Sequence, residues 1–345
     1  MSPQSPLLAV VVEAAVKSAV ILFVMLTATA YLTYGERRLL GRFQLRYGPN
    51  RVGPLGLLQP LADGIKLIVK EDFRPRRADP MVYWLAPAIS MTASLAMYAV
   101  VPFGPAVTLF GRQVTLYVAD VNVALLLLLG ISSLGVYGVI LGGWSADNKY
   151  SLLGSLRSSA QLISYELALG LGALVPVLLA GSLSLVRIVE AQRDLWFALH
   201  VPHGTLALAL FFVAAVAETN RAPFDLPEAE QELIAGYQTE YGGFKFAMFF
   251  IGEYLAVITM SALAAILFLG GWHAPPGLGA LLGVVPPVAW MVLKTLLGVF
   301  VFIWLRATLP RVRHDRLMAF GWKVLLPVGL VNVVVAVGAI LWGAG

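Results

Sequence analysis

Apolar runs recur along this chain, and positive charge collects in every second loop between them. The runs cover about 7–34, 82–103, 116–142, 159–180, 203–217, 245–270, 281–305 and 323–343. A bilayer core takes about 20 apolar residues per helical crossing. The pattern therefore predicts an all-α polytopic membrane helix bundle with about eight transmembrane helices. The loop after the first run carries ten Lys and Arg, from Arg37 to Arg77. The later odd-numbered loops add Lys149, Arg157, Arg221, Lys245, Arg306, Arg311, Arg313, Arg316 and Lys323. The opposite side holds only Arg112, Arg187 and Arg193. This asymmetry places the odd-numbered loops in the cytoplasm or matrix and both termini on the far side.

Composition closes the other routes. Only 12% of the 345 residues are charged and mean hydropathy is +0.83. A soluble domain carries about 25% charged residues, so lipid is the solvent for most of this chain. A single integral membrane domain over 1–345 leaves no room for a large soluble unit. The net charge of +5 follows membrane orientation and marks no nucleic-acid surface. Thr27-Ala28-Thr29-Ala30 offers a small-x-small site. No Lys or Arg precedes the first run, however, and its length suits a retained helix over a cleaved signal. The absence of cysteine excludes disulfides, thiolate iron–sulfur ligation and thiol catalysis within the chain. His200, His203, His273 and His314 form no paired intramembrane haem site, and no metal-ligand motif stands out. If electrons are involved, a partner brings them.

Two polar segments interrupt the pattern. Over about 55–71, Gln59, Asp63, Lys66 and Lys70 share one helical face, and Leu58, Leu61, Ile65 and Ile68 share the other. Such a helix lies in the interface plane. Pro60 fits only in its first turn. Periodicity alone gives this helix no more than a covering role. The inner loop over 218–243 is acidic on an otherwise basic side, with Glu218, Asp225, Glu228, Glu230, Glu232 and Glu240 around a single base, Arg221. Asp225 ahead of Leu226-Pro227 suits a helix start, and a helix would set Glu228 and Glu232 on one face. Crowded carboxylates near low dielectric raise one another's pKa and titrate as a set, which is the property a proton relay needs.

Charges inside apolar runs need a reason, since each costs at least ~2.5–3.5 kcal/mol at the bilayer centre on insertion scales. Glu13 and Lys17 are spaced to pair with each other. Glu166, Glu253 and Lys294 have no partner in sequence. They are expected to face the bundle interior or water, on a proton or ion pathway.

Several motifs resemble the respiratory complex I subunit 1 family, the quinone-channel membrane subunits of NADH-quinone oxidoreductase. They are Gly35-Glu36-Arg37-Arg38, Gln44-Leu45-Arg46-Tyr47-Gly48-Pro49-Asn50, Gln59-Pro60-Leu61-Ala62-Asp63 and Lys66-Leu67. Gln161-Leu162-Ile163-Ser164-Tyr165-Glu166 and the run from Glu218 to Leu226 agree as well. So do the run from Ala307 to Arg313 and Asp315-Arg316-Leu317-Met318. The resemblance covers essentially the whole chain. It implies a proton-pumping NADH:quinone oxidoreductase in an energy-coupling membrane, the bacterial inner membrane, with both termini periplasmic. It implies a lipid quinone, such as ubiquinone, as substrate and no covalent cofactor. NADH, FMN and iron–sulfur clusters would sit on partner subunits of the peripheral arm, beside neighbouring membrane-arm subunits. By motif, Arg37, Arg38, Arg46, Asp63 and Lys66 would line the quinone chamber. Glu166, Glu218, Asp225, Glu228, Glu230, Glu232, Glu253 and Lys294 would form the proton relay, with Arg221 stabilising the loop. The amphipathic helix would border the quinone entrance. The alternatives are the related membrane subunit of an energy-converting hydrogenase, a stand-alone secondary transporter, or a purely structural anchor.

Overall fold

The computed structural model describes residues 6–109, 111–225, 235–277 and 284–343. The chain folds as α1 Pro6–Phe43, α2 Gln59–Val69, α3 Pro80–Ala96, α4 Ala124–Ser145, α5 Lys149–Ala180, α6 Leu185–Glu190 and α7 His203–Glu218. There follow α8 Gly243–Phe268, α9 Pro287–Thr308, α10 His314–Phe320 and α11 Leu326–Gly343. A π turn over Gly321–Leu325 joins α10 to α11. A small antiparallel hairpin pairs β1 Val107–Leu109 with β2 Arg112–Val114, in the register Thr108 opposite Gln113.

Among the described residues seven helices are long and apolar enough to cross a membrane: α1, α3, α4, α5, α8, α9, and α10 with α11 as one. The eighth expected crossing, α7, is apolar but has only 16 residues. Hydropathy and hydrogen bonding mark different limits. The run at 159–180 is only the later two thirds of α5, because Asn148 accepts from Tyr150 N at 2.9 Å and starts the helix earlier. Lys149 and Arg157 thus lie on a helix and not in a loop. The run at 116–142 becomes helical only at Ala124. The 38 residues of α1 continue past the apolar run through Arg37, Arg38 and Arg42. At 1.5 Å per residue that helix is about 57 Å long, against a core of about 30 Å, so its basic end stands clear of hydrocarbon.

Helix α8 forms the axis of the bundle. Of its most apolar window 72% is buried, against 6% for α1. It packs against α3, α9, α1 and α7, while α5 packs against α4, α7 and α11. Gly138 permits α4 to approach α3, since a β-carbon there would meet Ala86 O at 2.9 Å.

The loops sort into two ends of the bundle. At one end, Val312 N donates to Pro223 O (3.0 Å), Asn148 Nδ2 to Glu240 Oε1 (2.7 Å) and Tyr34 Oη to Leu55 O (2.6 Å). At the other end, Ser184 Oγ donates to Asp120 Oδ1 (3.0 Å), Leu125 N to Leu183 O (3.1 Å) and Gly270 N to Gln192 Oε1 (3.0 Å). The basic odd-numbered loops therefore share one face. Lys17 pairs with Glu13 at 2.6 Å, as its spacing predicts, and also donates to Thr115 Oγ1 at 2.8 Å.

Candidate functional site

The site grows from the end of α7. Helix α7 stops at Glu218, and Asn220 takes a positive φ of 50°, turning the chain back into the bundle. Gln161 of α5 holds this turn. Its Nε2 donates to Ala217 O at 2.8 Å and to Phe224 O at 2.9 Å. Both contacts are buried, so the amide supplies a donor where water has no access, to a last-turn carbonyl of α7 and to a carbonyl of the turn that follows. Arg311 secures the far side of the loop through Asp225 Oδ2 at 2.8 Å.

Arg221 sits inside this turn with 6% exposure and connects three helices. Its Nη1 lies 3.1 Å from Glu36 Oε1 of α1, and its Nε 3.0 Å from Glu253 Oε1 of α8. Its guanidinium centre stands 4.2 Å from the Tyr254 ring. Arg306 of α9 completes the group by also pairing with Glu36. Two carboxylates thus face two guanidiniums in low dielectric. Burial works against the Arg221 charge, but Glu253 and Glu36 outweigh it and hold its pKa above the ordinary arginine value. The group is permanently cationic. A cavity of about 10 Å³ between Leu32, Glu36, Arg221, Tyr254 and Arg306 leaves room for about one water.

A second pair of carboxylates is held by α4. Glu218 accepts from Ser132 Oγ at 3.0 Å, and Glu166 accepts from Ser133 Oγ. Neighbouring serines of α4 thereby bring an acid from α7 and an acid from α5 together. Several atoms here are buried with no hydrogen-bond partner among the described residues: Glu218 Oε2, Asp225 Oδ1, Gln161 Oε1, Ser158 Oγ and Arg221 Nη2. Polar atoms in that condition call for internal water.

The other predicted residues separate into two places. Arg37 meets Asp63 Oδ2 at 2.8 Å, and Gln59 Nε2 meets Asp63 Oδ1 at 2.9 Å, joining α1 to α2. Arg38 donates to the Tyr34 hydroxyl, and Arg46 Nε reaches Gln44 Oε1 at 2.8 Å. Lys66 is exposed on α2. Lys294 stands apart from every carboxylate named above. Its ammonium donates to Leu269 O (2.5 Å), Gly271 O (2.8 Å) and His273 O (2.6 Å), closing the end of α8. Nearby His273 is pushed below the usual histidine range by burial, with Lys294 and Arg193 adding to the shift. Glu228, Glu230 and Glu232 lie outside the described residues.

Sequence reasoning left Glu36, Gln161, Tyr254 and Arg306 out of the site. Glu36 had a detectable signal. It falls seven residues after Thr29 and four after Leu32, on the face of α1 that the bundle buries. The two arginines beside it disguise it as part of a solvated end. Gln161 and Arg306 carry no such signal, because their partners are distant in sequence.

Residues 16–337 match the NADH dehydrogenase family. Among curated relatives, an NADH-quinone oxidoreductase subunit of Geobacter metallireducens is 54% identical, over 92% of this chain and 94% of its own. An NADH-quinone oxidoreductase subunit of Protochlamydia amoebophila is 52% identical, over 90% and 92%. The Thermomicrobium roseum protein of the same name is 52% identical, over 94% and 95%.

Proposed function

The chain belongs to the NADH dehydrogenase family, and from that premise we infer that it is the quinone-channel membrane subunit of a proton-pumping NADH:quinone oxidoreductase. It is a multi-pass membrane protein that contributes the quinone chamber and couples quinone reduction to proton translocation. NADH, FMN and iron–sulfur clusters reside on partner subunits. The peripheral-arm subunits complete the chamber from the inner face, and further membrane-arm subunits receive the coupling. The 19-to-3 distribution of Lys and Arg supports a cytoplasmic position for that inner face and a periplasmic position for both termini.

One observation carries the mechanism. Arg221, at the root of the acidic loop, holds a carboxylate from α1 and a carboxylate from α8 at once. The helix that bears Glu36 also bears Arg37, whose partner Asp63 belongs to α2. Reducing a quinone to a quinol takes up two electrons and two protons, so charge changes in the chamber beside these groups. Arg37, Arg38, Arg46, Asp63 and Lys66 shape the passage of the quinone. The Arg221 cluster passes the change in field or protonation to Glu218 and Glu166, and Asp225, Glu228, Glu230, Glu232 and Glu253 belong to the same coupled set. The unpartnered oxygens of Glu218 and Asp225 support a hydrated path, because water there both solvates the carboxylates and carries protons. Lys294 differs in surroundings. All three of its donors are engaged by carbonyls, which supports a capping role.

The test is Glu218→Gln in the assembled complex. Turnover with quinone and proton pumping in vesicles should both fall, by about tenfold or more, since a positioned proton acceptor is removed. Wild-type turnover together with wild-type pumping would remove Glu218 from the relay.

A further inference from the structure

Helix α2 has no buried residue. Its stripe of Leu58, Leu61, Ile65, Ile68 and Val69 faces away from the protein, with exposures between 48% and 78%. Apolar packing therefore does little to fix where α2 lies, and polar fasteners must do it. One is the Arg37–Asp63 pair in its N-terminal half. The other lies just past its C-terminal end. Gly243 has a positive φ of 54°, and a β-carbon there would come 3.4 Å from Leu67 O and 3.3 Å from Lys70 O, so the two backbones touch. Two residues on, Lys245 Nζ of α8 reaches Asp72 Oδ1 at 2.9 Å. The Lys245 ammonium is held over the Trp84 ring at 4.3 Å and the Tyr83 ring at 4.8 Å. Tyr83 is itself fixed by stacking on Tyr241 at 4.3 Å and by donating to Glu240 O at 2.5 Å.

The asymmetry of the pair gives it direction. Lys245 is 2% exposed on the axial helix, whereas the Asp72 side chain is 40% exposed on the segment after α2. A buried ammonium needs its counter-charge far more than an exposed carboxylate does. The buried partner holds the exposed one.

We propose that Lys245 is a positioning residue: by retaining Asp72 it sets the spacing between α2 and α8, and so the width of the opening through which the quinone's apolar tail passes. The proposal rests on the reading of α2 as the border of the quinone entrance. A long isoprenoid tail must slide along the outward stripe of α2, whereas a short-tail analogue need not.

The experiment measures KM and kcat of the membrane-bound complex with one long-tail and one short-tail quinone. Asp72→Asn removes the ion pair from its exposed side and leaves the core intact. Lys245→Met removes it from the buried side and keeps the aliphatic stem. Both should raise KM for the long-tail quinone about fivefold, with kcat and the short-tail KM within about twofold of wild type. Lys245→Arg should restore the long-tail KM. Equal losses with both quinones, or an unchanged ratio of long-tail to short-tail KM, would overturn the latch. So would failure of Lys245→Arg to rescue. Asp63→Asn in the same assay tests the underlying reading separately. Wild-type kinetics for that variant with both quinones would remove α2 from the entrance itself, whereas a long-tail defect in Asp63→Asn alone would sink only the latch.

Discussion

A guanidinium that serves two buried carboxylates has no substitute among the other side chains. Lysine at position 221 keeps the charge but offers one ammonium in place of a planar fork, so it reaches Glu36 or Glu253 and not both. Glu36 keeps Arg306 in that variant, but one charge-assisted contact of the network is lost, which costs about 1.5–3 kcal/mol. Arg221→Lys should cut quinone reductase activity at least tenfold while the complex still assembles on native gels. Arg221→Ala should abolish assembly. Gln161→Leu takes a buried donor from the Ala217 and Phe224 carbonyls and loosens the turn, a loss of about 0.5–1.5 kcal/mol for each hydrogen bond. Its expected signature is faster protease cutting within 219–225 along with weaker pumping. Arg221 was legible in the sequence as the lone base of an acidic segment. Its partners were not, because Glu36 is separated from it by 185 positions and only the bundle brings the two together.

The helices show why some boundaries were legible and others not. The apolar runs overlap the helices long enough to cross a membrane, yet they miss the polar first turns of α5 and the basic last turns of α1, because hydrogen bonding does not stop where apolar sequence stops. In α2 the placement of Pro60 in the first turn agrees with the periodicity. The Arg37–Asp63 pair lies on the face of α2 opposite its outward apolar stripe. At the opposite end of the bundle, Lys294 closes α8 against the loop that follows. Lys294→Met strips three carbonyls of their donor and should lower the temperature at which the complex loses activity by several degrees, at about 1 kcal/mol per hydrogen bond. A loss of pumping at permissive temperature would instead assign Lys294 to the relay.

Orientation belongs to the whole molecule. The loops gather at two ends by their own hydrogen bonds, and this grouping agrees with the one read from Lys and Arg counts. Because the chain has no cysteine, single substitutions report sidedness without background. Leu45→Cys, at a position 97% exposed, should react with a membrane-impermeant thiol reagent only from the cytoplasmic side. Val201→Cys, at a position 77% exposed, should react only from the periplasmic side. Labelling in the reverse sense would invert the topology.

The sequence by itself determined the solvent, the fold class and the gathering of the basic loops at one end. Each follows from a property that adds up along the chain: apolar length against bilayer thickness, and charge summed loop by loop. It also exposed the acids that lipid would reject. Only the tertiary structure decided which base answers which acid. An ion pair forms where side chains from distant helices meet at about 3 Å with the right geometry, and no local sum contains that distance. The partners of Glu36, the contacts of Gln161 and Arg306, and the Lys245–Asp72 pair therefore became visible only when the helices were packed.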